Sequence, residues 1–448
     1  MENRNNDFLN GAILSPLLRF AGPVLLALFL QAMYGAVDLI VVGKFAGTAD
    51  ISAVSTGSQA MQLVTSLLVG LTTGVTVLLG QKIGEGKPDE AGSVVGSAIC
   101  LFVCVALALT ALLTVLTDPF CRLLQAPEEA FVPTTQYVRI CSAGTLFIVA
   151  FNVIGSVFRG LGDSKMPLIT VAIACVANIF GDLLLVDVFQ MGAVGAALAT
   201  VFAQAVSVIL SLLVIMRRKL PFTFRREQLR FDRPLTAGIL RLGIPIALQD
   251  VLVGVSFLVI LAIVNSLGLL QSAGMGIAEK VCAFVMLLPS AFSQSVSAFV
   301  AQNTGAGKPE RAKKALRYSV AVSLSISVFV FYFNFFHGDL LAGIFANDRA
   351  VVLEAADYLK AYAIDCLLTS FLFCFVGYFS GLGKTVFVMA QGILGAFGVR
   401  IPVSFAMSRL PNVRLFYIGL ATPCSTVVQV LLCLGYYAHL ARRERTAR

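Results

Sequence analysis

Polar side chains recur at helical spacing inside long apolar stretches of this sequence. In the first stretch, Gln31, Tyr34 and Asp38 are three and four residues apart, so a helix would place them on one face. Asn178 and Asp182 repeat the four-residue spacing in a later stretch. If these stretches cross a membrane, each buried carboxylate costs about 2.5–3.5 kcal/mol to insert, so it should have a partner or a function.

Two further polar residues, Asn152 and Thr200, lie inside other apolar stretches of the first half. If they converge on Asp38 and Asp182, the site offers two carboxylates with amide and hydroxyl oxygens. Oxygen ligands favour a hard cation such as sodium. Two carboxylates that repel each other in a low-dielectric pocket could instead retain a proton. The alternatives are that Asp38 bonds locally or lies near the outer interface, close to Lys44, and that Asn152 and Thr200 simply bridge helices.

The second half carries its own intramembrane charges. Asp250, Asp365 and Arg400 all fall within apolar stretches. A buried arginine paired with a carboxylate would form a polar lock between helices. The sequence does not choose between Asp365 and Asp250 as the partner of Arg400.

The composition requires lipid around much of the chain. Of 448 residues, 58% are hydrophobic and 13% are charged, whereas soluble domains are nearer half apolar and about a quarter charged. A helix needs about 20 apolar residues to span the hydrocarbon layer. The sequence therefore predicts an all-α membrane protein with twelve transmembrane helices, at residues 14–42, 51–79, 91–117, 132–158, 167–187, 192–216, 237–267, 273–302, 315–337, 351–380, 385–408 and 414–440.

Enzymatic and nucleotide-binding chemistry find little support in the sequence. The two histidines, His337 and His439, are far apart, and the ten cysteines are scattered through apolar stretches without metal-ligand spacing. In Gly84-Glu85-Gly86-Lys87-Pro88, a proline stands where a phosphate-binding loop needs serine or threonine. We therefore expect no enzyme activity and no organic cofactor. Active transport would draw on an ion gradient or on a partner ATPase.

The basic residues predict the orientation of the chain in the membrane. The net charge is +9, and lysine and arginine concentrate in the even-numbered loops and the C-terminal tail, which places both termini in the cytoplasm. The central loop, residues 217–236, is read as a linker attracted to anionic lipid rather than as a nucleic-acid site. The basic residues of this loop and of the tail include Arg217, Arg218, Lys219, Arg225, Arg226, Arg442, Arg443, Arg445 and Arg448.

The two halves of the sequence repeat each other at an offset of 221 or 222 residues. Leu18-Arg19 with Pro23 matches Leu240-Arg241 with Pro245, and further matches join 81–91 with 302–312, 158–162 with 379–383, and 198–200 with 420–422. Six helices per half make the repeat parallel, with a pseudo-twofold axis along the membrane normal. We expect an N-terminal lobe at residues 1–220 and a C-terminal lobe at 221–448. Such duplication favours a transporter over a channel or a scaffold.

Several motifs resemble those of the multidrug and toxic compound extrusion (MATE) transporters over nearly the full length. The motifs are Gln31–Gly43 with Tyr34 and Asp38, Gly80–Gly86, Phe158-Arg159-Gly160-Leu161-Gly162-Asp163-Ser164-Lys165 with Pro167, Asn178–Asp182, Met191–Thr200 and Ala301–Gly307. The resemblance implies two six-helix lobes around a central cavity, and export of drugs or metabolites in exchange for protons or sodium.

The resemblance also assigns roles to residues of the first half. It implies that Asp38 is the coupling acid of helix 1, and that Asn178, Asp182 and Thr200 complete a cation site that holds a proton or sodium. Gln31, Tyr34 and Asn152 would line it. One branch of the family carries a glutamate in helix 7, which has no clear match here because Asp250 lies about one turn earlier.

We therefore expect a cation-coupled antiporter in the cytoplasmic membrane that acts as a monomer on organic cations or amphiphiles and contacts lipid but no nucleic acid. The main alternative is a flippase for a lipid-linked saccharide or another lipid. A flippase would need a strongly cationic cavity to hold pyrophosphate. The basic residues available for such a cavity are Arg400, Arg139 and Lys360.

Overall fold

The computed structural model describes residues 8–124, 126–217, 220, 222 and 224–446, and its regular elements there are helical. The first half contains α1 (Leu14–Phe45), α2 (Thr48–Gly84), α3 (Pro88–Leu123), α4 (Glu128–Ala143), α5 (Thr145–Gly160), α6 (Lys165–Asp182), a π-helical segment (Leu183–Val188) and α7 (Gly192–Arg217). The second half contains α8 (Arg233–Asn265), α9 (Leu269–Val285), α10 (Leu287–Gly305), α11 (Pro309–Phe336), α12 (Gly338–Gly343), α13 (Arg349–Gly381), α14 (Thr385–Ile393), a second π-helical segment (Leu394–Arg400), α15 (Ile401–Met407), α16 (Leu415–Gly419) and α17 (Ala421–Thr446).

The number of membrane-spanning helices confirms the prediction from the sequence. Within the described ranges, eleven helices are long and apolar enough to cross a membrane, and α4 with α5 forms a twelfth span bent by 54°. The bend falls at Gly144, where an added Cβ would press against the Val201 side chain. Each predicted segment coincides with one span, so the all-α membrane fold class is correct.

The helices extend beyond the predicted apolar segments. For example, α3 runs from Pro88 to Leu123, whereas the apolar pattern predicts 91–117. Hydropathy marks only the residues at hydrocarbon depth, while helical hydrogen bonding continues into the polar ends. Pro88 suits the first turn of the helix because an N–H at that position would have no helical acceptor.

Contacts divide the chain into two compact units. Of the described residues, the first contains 8–12, Leu18–Ala247 and Ala301–Lys308. Its apolar core joins residues of α2 to α5 and α7, and reaches the start of α8 at Ile239. Gly70 and Gly74 of α2 let the backbone of α8 approach closely, at Ala247 and Ile239 respectively.

The second unit contains Ile13–Leu17, Leu248–Val300 and the described residues from Pro309 onward. It has two apolar clusters, one around Met275 and Tyr358 and the other around Phe375 and Phe379. The lobe boundary predicted at residue 220 divides the two halves of the internal repeat, and it stays a prediction. By contacts, the start of α8 belongs with the first unit.

Two turns of the internal repeat meet inside the first unit. A Cβ added to Gly84 would overlap the Gln302 carbonyl oxygen, and one added to Gly305 would overlap that of Gln81. The Gln302 side chain also donates to the Gly160 carbonyl at 2.9 Å. The repeated glycines therefore permit a reciprocal close approach of the two helix ends.

The turn between α2 and α3 carries a small ion-pair network. Lys82 and Lys87 lie 3.0 and 3.1 Å from Glu85 Oε2. Burial opposes ionisation of Glu85, but the hydrogen bonds from both lysines outweigh it and lower the pKa of this carboxyl. The hydrogen bonds that Lys87 donates to Glu85 and Glu90 raise its pKa.

The central linker is partly structured. A short 3-10 turn at Arg226–Gln228 lies against α3, where Gln228 Nε2 donates to the Asp89 carbonyl at 3.1 Å. The next helix begins at Arg233, inside the predicted linker 217–236, so the connection is shorter than expected. Of the predicted basic residues, Arg218, Lys219 and Arg448 lie outside the described residues, as does the side chain of Arg445.

Candidate functional site

Asp38 is buried within the first membrane span. It lies in α1 and is 5% exposed. The Thr200 hydroxyl of α7 lies 3.4 Å from Asp38 Oδ2 and 3.0 Å from the Ala196 carbonyl of its own helix. The structure thus brings together two predicted site residues that are 162 positions apart in sequence.

Asn178 and Asp182 of α6 complete this group. They are 1% and 0% exposed, and both lie close enough to Asp38 to influence its carboxylate electrostatically. Gly181 lies against Ala199 of α7, where an added Cβ would stand 2.9 Å from the Ala199 Cβ. This small-residue contact lets α6 and α7 approach, which positions Asp182 beside the Asp38–Thr200 pair.

The polar atoms of this group are poorly satisfied by protein partners. Among the described residues, Asp38 Oδ1, both carboxylate oxygens of Asp182 and both amide atoms of Asn178 have no hydrogen-bond partner. Buried polar atoms are satisfied in more than about nine cases in ten. Two carboxylates cannot satisfy each other without a shared proton or a bridging cation. The arrangement therefore suits a small cationic ligand.

A π-helical segment follows the site directly. Asp182 ends α6, and Leu183–Val188 continues as a π-helix. Segments of this kind are rare and often occur at functional sites, because the wider turn redirects the side chains beside it. The hydropathy pattern gave no indication of this change in winding.

The residues predicted to line the site differ in their surroundings. Tyr34 interacts with both Gln31 and Asp38, as their shared helix face predicts. Asn152 is 9% exposed, and its Nδ2 donates to the Ile148 carbonyl at 2.8 Å within α5. The structure therefore shows Asn152 in a local helix contact, and its place in the lining stays a prediction.

The sequence reasoning missed Tyr137, a buried residue of α4. It is 3% exposed and interacts with Thr200, Asp38 and Tyr34. Gly57 of α2 faces its ring, where an added Cβ would lie 3.0 Å from the Tyr137 Cγ. The only signal in the sequence was a phenol inside an apolar segment. That signal was too weak beside ten tyrosines in the chain.

The polar residues of the second unit form a looser group. Arg400 and Asp365 are 6% and 2% exposed and interact electrostatically. Among the ion pairs of the described residues, none within 4.0 Å joins Arg400 to Asp365 or to Asp250. Asp250 of α8 is half-buried.

The oxygen ligands of the first unit fit a hard monovalent cation or a shared proton. They comprise two carboxylates, one amide oxygen and one hydroxyl. Oxygen ligands of this kind suit a hard cation such as sodium better than they suit a softer metal. In the described part of the chain, no group of three or more histidine, cysteine, aspartate or glutamate residues could hold a metal ion.

The twelve spans, the internal repeat and the buried carboxylates of the first unit define a multi-pass α-helical membrane transporter. The MatE family model matches residues 23–184 and 245–406, so its second match begins 222 residues after the first and reproduces the repeat. The chain belongs to the MATE family of transporters, which confirms the resemblance seen in the sequence.

Known proteins resemble the chain over nearly its full length. The probable multidrug resistance protein YoeA of Bacillus subtilis (strain 168) is 25% identical over 436 residues, covering 96% of this chain and 94% of that protein. YpnP of the same strain, also a probable multidrug resistance protein, is 29% identical over 417 residues, or 92% and 90% of the two chains. A MATE crystal structure in complex with MaL6 superimposes with a TM-score of 0.93 at 18% identity, covering 99% of this chain and 100% of that one.

Proposed function

We propose that this transporter exports small organic molecules, either organic cations or amphiphiles, in exchange for protons or sodium. The observation that carries the proposal is the buried Asp38–Asp182 pair, whose carboxylate oxygens lack protein partners. Relatives of similar length are named as multidrug resistance proteins. The proposal places a single chain in the cytoplasmic membrane, with both termini on the cytoplasmic side.

Ion binding would drive the exchange by favouring one conformation. A proton or sodium ion between Asp38 and Asp182 removes the repulsion of two buried carboxylates. Because Asp38 belongs to α1 while Asp182 precedes a π-helical segment, the ion would draw two spans together. The ion can shift the equilibrium between the two conformations only by the difference between its affinities for them. Repacking of α1 around Asp38 would then change the affinity for the exported substrate.

Transport by purified protein in proteoliposomes tests the proposal. A sodium gradient and a pH gradient are imposed separately, and efflux of a fluorescent organic cation is followed. We expect one of the two gradients to drive transport, and Asp38→Asn to abolish that response while the protein stays folded. A matched control is Asp118→Asn, because Asp118 is about half exposed and pairs with Arg139 at 2.8 Å. Undiminished transport by Asp38→Asn would refute the proposed role.

The flippase alternative receives no specific support from the structure. It needs several cationic side chains free to hold pyrophosphate. Arg139 is instead paired with Asp118, and its side chain is 54% exposed. Arg400 donates to Ser256 Oγ at 3.2 Å inside the second unit.

A further inference from the structure

Arg400 is a cation buried in the second unit. It ends the π-helical segment Leu394–Arg400 and is 6% exposed. Its Nη1 donates to Ser256 Oγ at 3.2 Å, and its guanidinium lies 4.5 Å from the ring centre of Phe257. Its Nε has no hydrogen-bond partner among the described residues. These two contacts orient the guanidinium, but neither supplies a negative charge.

Asp365 is the deeply buried carboxylate near this guanidinium. It is 2% exposed, and its Oδ1 lacks a partner in the described part of the chain. Phe257, on which Arg400 stacks, packs against the cluster that contains Tyr362 and Cys366, the neighbours of Asp365 on α13. Arg400 and Asp365 are therefore held by the same core, where low polarity strengthens and extends charge interactions.

The two units differ in the sign of their buried charge at related spans. In the fifth span, a π-helical segment follows Asp182, which stands beside Asp38. In the eleventh span, a π-helical segment ends at Arg400. The first unit thus holds a carboxylate pair at this place, whereas the second holds the Arg400 guanidinium with the Asp365 carboxylate. Asp357, another buried carboxylate of the second unit, pairs with Arg414.

The other titratable groups around Arg400 and Asp365 do not change this balance. Cys282, Tyr358 and Tyr362 are buried, and cysteine and tyrosine side chains are normally neutral at physiological pH. Asp250 and Glu279 are half-buried, and neither is among the electrostatic partners of Asp365 or Arg400.

We propose that Arg400 is the permanent counter-charge of Asp365, so that the second unit takes no coupling ion and the chain binds a single cation, between Asp38 and Asp182. The inference rests on the proposed cation coupling and adds its stoichiometry. A guanidinium attached to the chain is present in every conformation and remains protonated, so a cation from solution gains little by approaching Asp365. Arg400 acts here as a positioning residue that keeps Asp365 ionised and out of the exchange.

Counting the bound ions on the purified full-length protein in nanodiscs tests the inference. Sodium-22 binding counts sodium, and infrared difference spectra between acid and neutral pH count protonated carboxyl groups. We expect one ion per chain, which Asp38→Asn removes and Asp365→Asn retains. Arg400→Gln should raise the count to two, because Asp365 loses its counter-charge, whereas Arg400→Lys should leave it at one.

The outcomes separate this inference from the proposed function. Two ions in the unmodified protein, one of them lost in Asp365→Asn, would overturn the single-site inference and leave coupled exchange intact. A count of zero would overturn both. An unchanged count in folded Arg400→Gln would also refute the role of Arg400.

A double-mutant cycle covers the case in which Arg400→Gln fails to fold. Melting temperatures are compared for Arg400→Gln, Asp365→Asn and the double variant. We expect the double variant to fold and to lose less than the sum of the two single losses, since it leaves no charge unpaired. Strictly additive losses, or failure of the double variant alone to fold, would show that the two residues are not counter-charges.

Discussion

Asp38 and Asp182 are buried carboxylates that lie together with two neutral groups, Asn178 and Thr200. Two unit charges 4 Å apart interact by about 4 kcal/mol at an effective dielectric constant of 20. The Thr200 hydroxyl offsets only part of a repulsion of that size, because even a good hydrogen bond to a charged group contributes about 1.5–3 kcal/mol and this contact is long, at 3.4 Å. A proton or a cation bound between the two carboxylates would therefore offset the remaining repulsion.

Replacing Thr200 by valine should weaken ion binding without disturbing the helix. The variant removes a hydroxyl that lies 3.4 Å from Asp38 Oδ2, and a loss of about 0.5–1.5 kcal/mol corresponds to a roughly 2- to 10-fold higher ion concentration for half-maximal transport. Transport measured against sodium or proton concentration gives this value. Thr200→Ser keeps the hydroxyl and should behave like the parent protein. Equal shifts in both variants would argue against the hydroxyl contact.

At the scale of elements, glycines decide how closely the spans approach. Gly181 against Ala199 brings α6 to α7, and Gly84 and Gly305 allow the repeated turns to meet. These contacts join residues that are far apart in sequence. A glycine in a helix otherwise costs about 0.5–1 kcal/mol relative to alanine, so close approach explains its use at these positions.

Alanine at Gly84 or Gly305 should destabilise the first unit. Each new Cβ would overlap a carbonyl oxygen of the facing turn, and overpacking of this kind costs about 1–3 kcal/mol. The measurement is the thermal unfolding midpoint of the purified protein. Gly43→Ala is the control, since Gly43 has no neighbour within 4 Å of an added Cβ. A midpoint for Gly84→Ala as high as that of Gly43→Ala would contradict the close contact.

Asp50 caps a neighbouring helix, and its loss should loosen the start of α7. Its Oδ1 accepts the Ala193 N–H at 2.8 Å, and a carboxylate at a helix N-terminus also interacts favourably with the helix dipole. Asp50→Ala should cost about 0.5–2 kcal/mol, measurable as a lower unfolding midpoint or as faster hydrogen exchange at residues 193–195. Asp50→Asn retains an acceptor oxygen and should lose less. If the two variants lose the same stability, the cap is not the cause.

At the scale of the whole molecule, the distribution of basic residues predicts a single orientation. The loops predicted to be cytoplasmic contain most of the lysine and arginine, and Lys87 is among them. Arg409 belongs to the few basic residues predicted outside. The bias acts during insertion, because positively charged loops are retained on the cytoplasmic side.

Cysteine labelling in intact cells tests this orientation. In a background without the ten native cysteines, an impermeant maleimide should label Arg409→Cys and leave Lys87→Cys unlabelled until the cells are permeabilised. Both positions are exposed, so burial does not account for a difference. Labelling of Lys87→Cys in intact cells would reverse the predicted topology.

The sequence by itself determined the class of fold, the twelve spans and the repeat. These features depend on local hydropathy and on motif spacing, which a linear pattern carries. It also indicated that Asp38, Asn178 and Asp182 were chemically important, because polar groups inside apolar segments are costly wherever the helices pack.

The tertiary structure decided which of these groups meet. The approach of α6 to α7 through Gly181, the contribution of Tyr137, the π-helical segments and the placement of Arg400 near Asp365 all depend on packing between spans distant in sequence. Lipid covers the outside of every span alike, so hydropathy does not specify which helix faces touch. Steric fit and the pairing of buried polar groups make that choice, and both require the neighbouring helix to be in place.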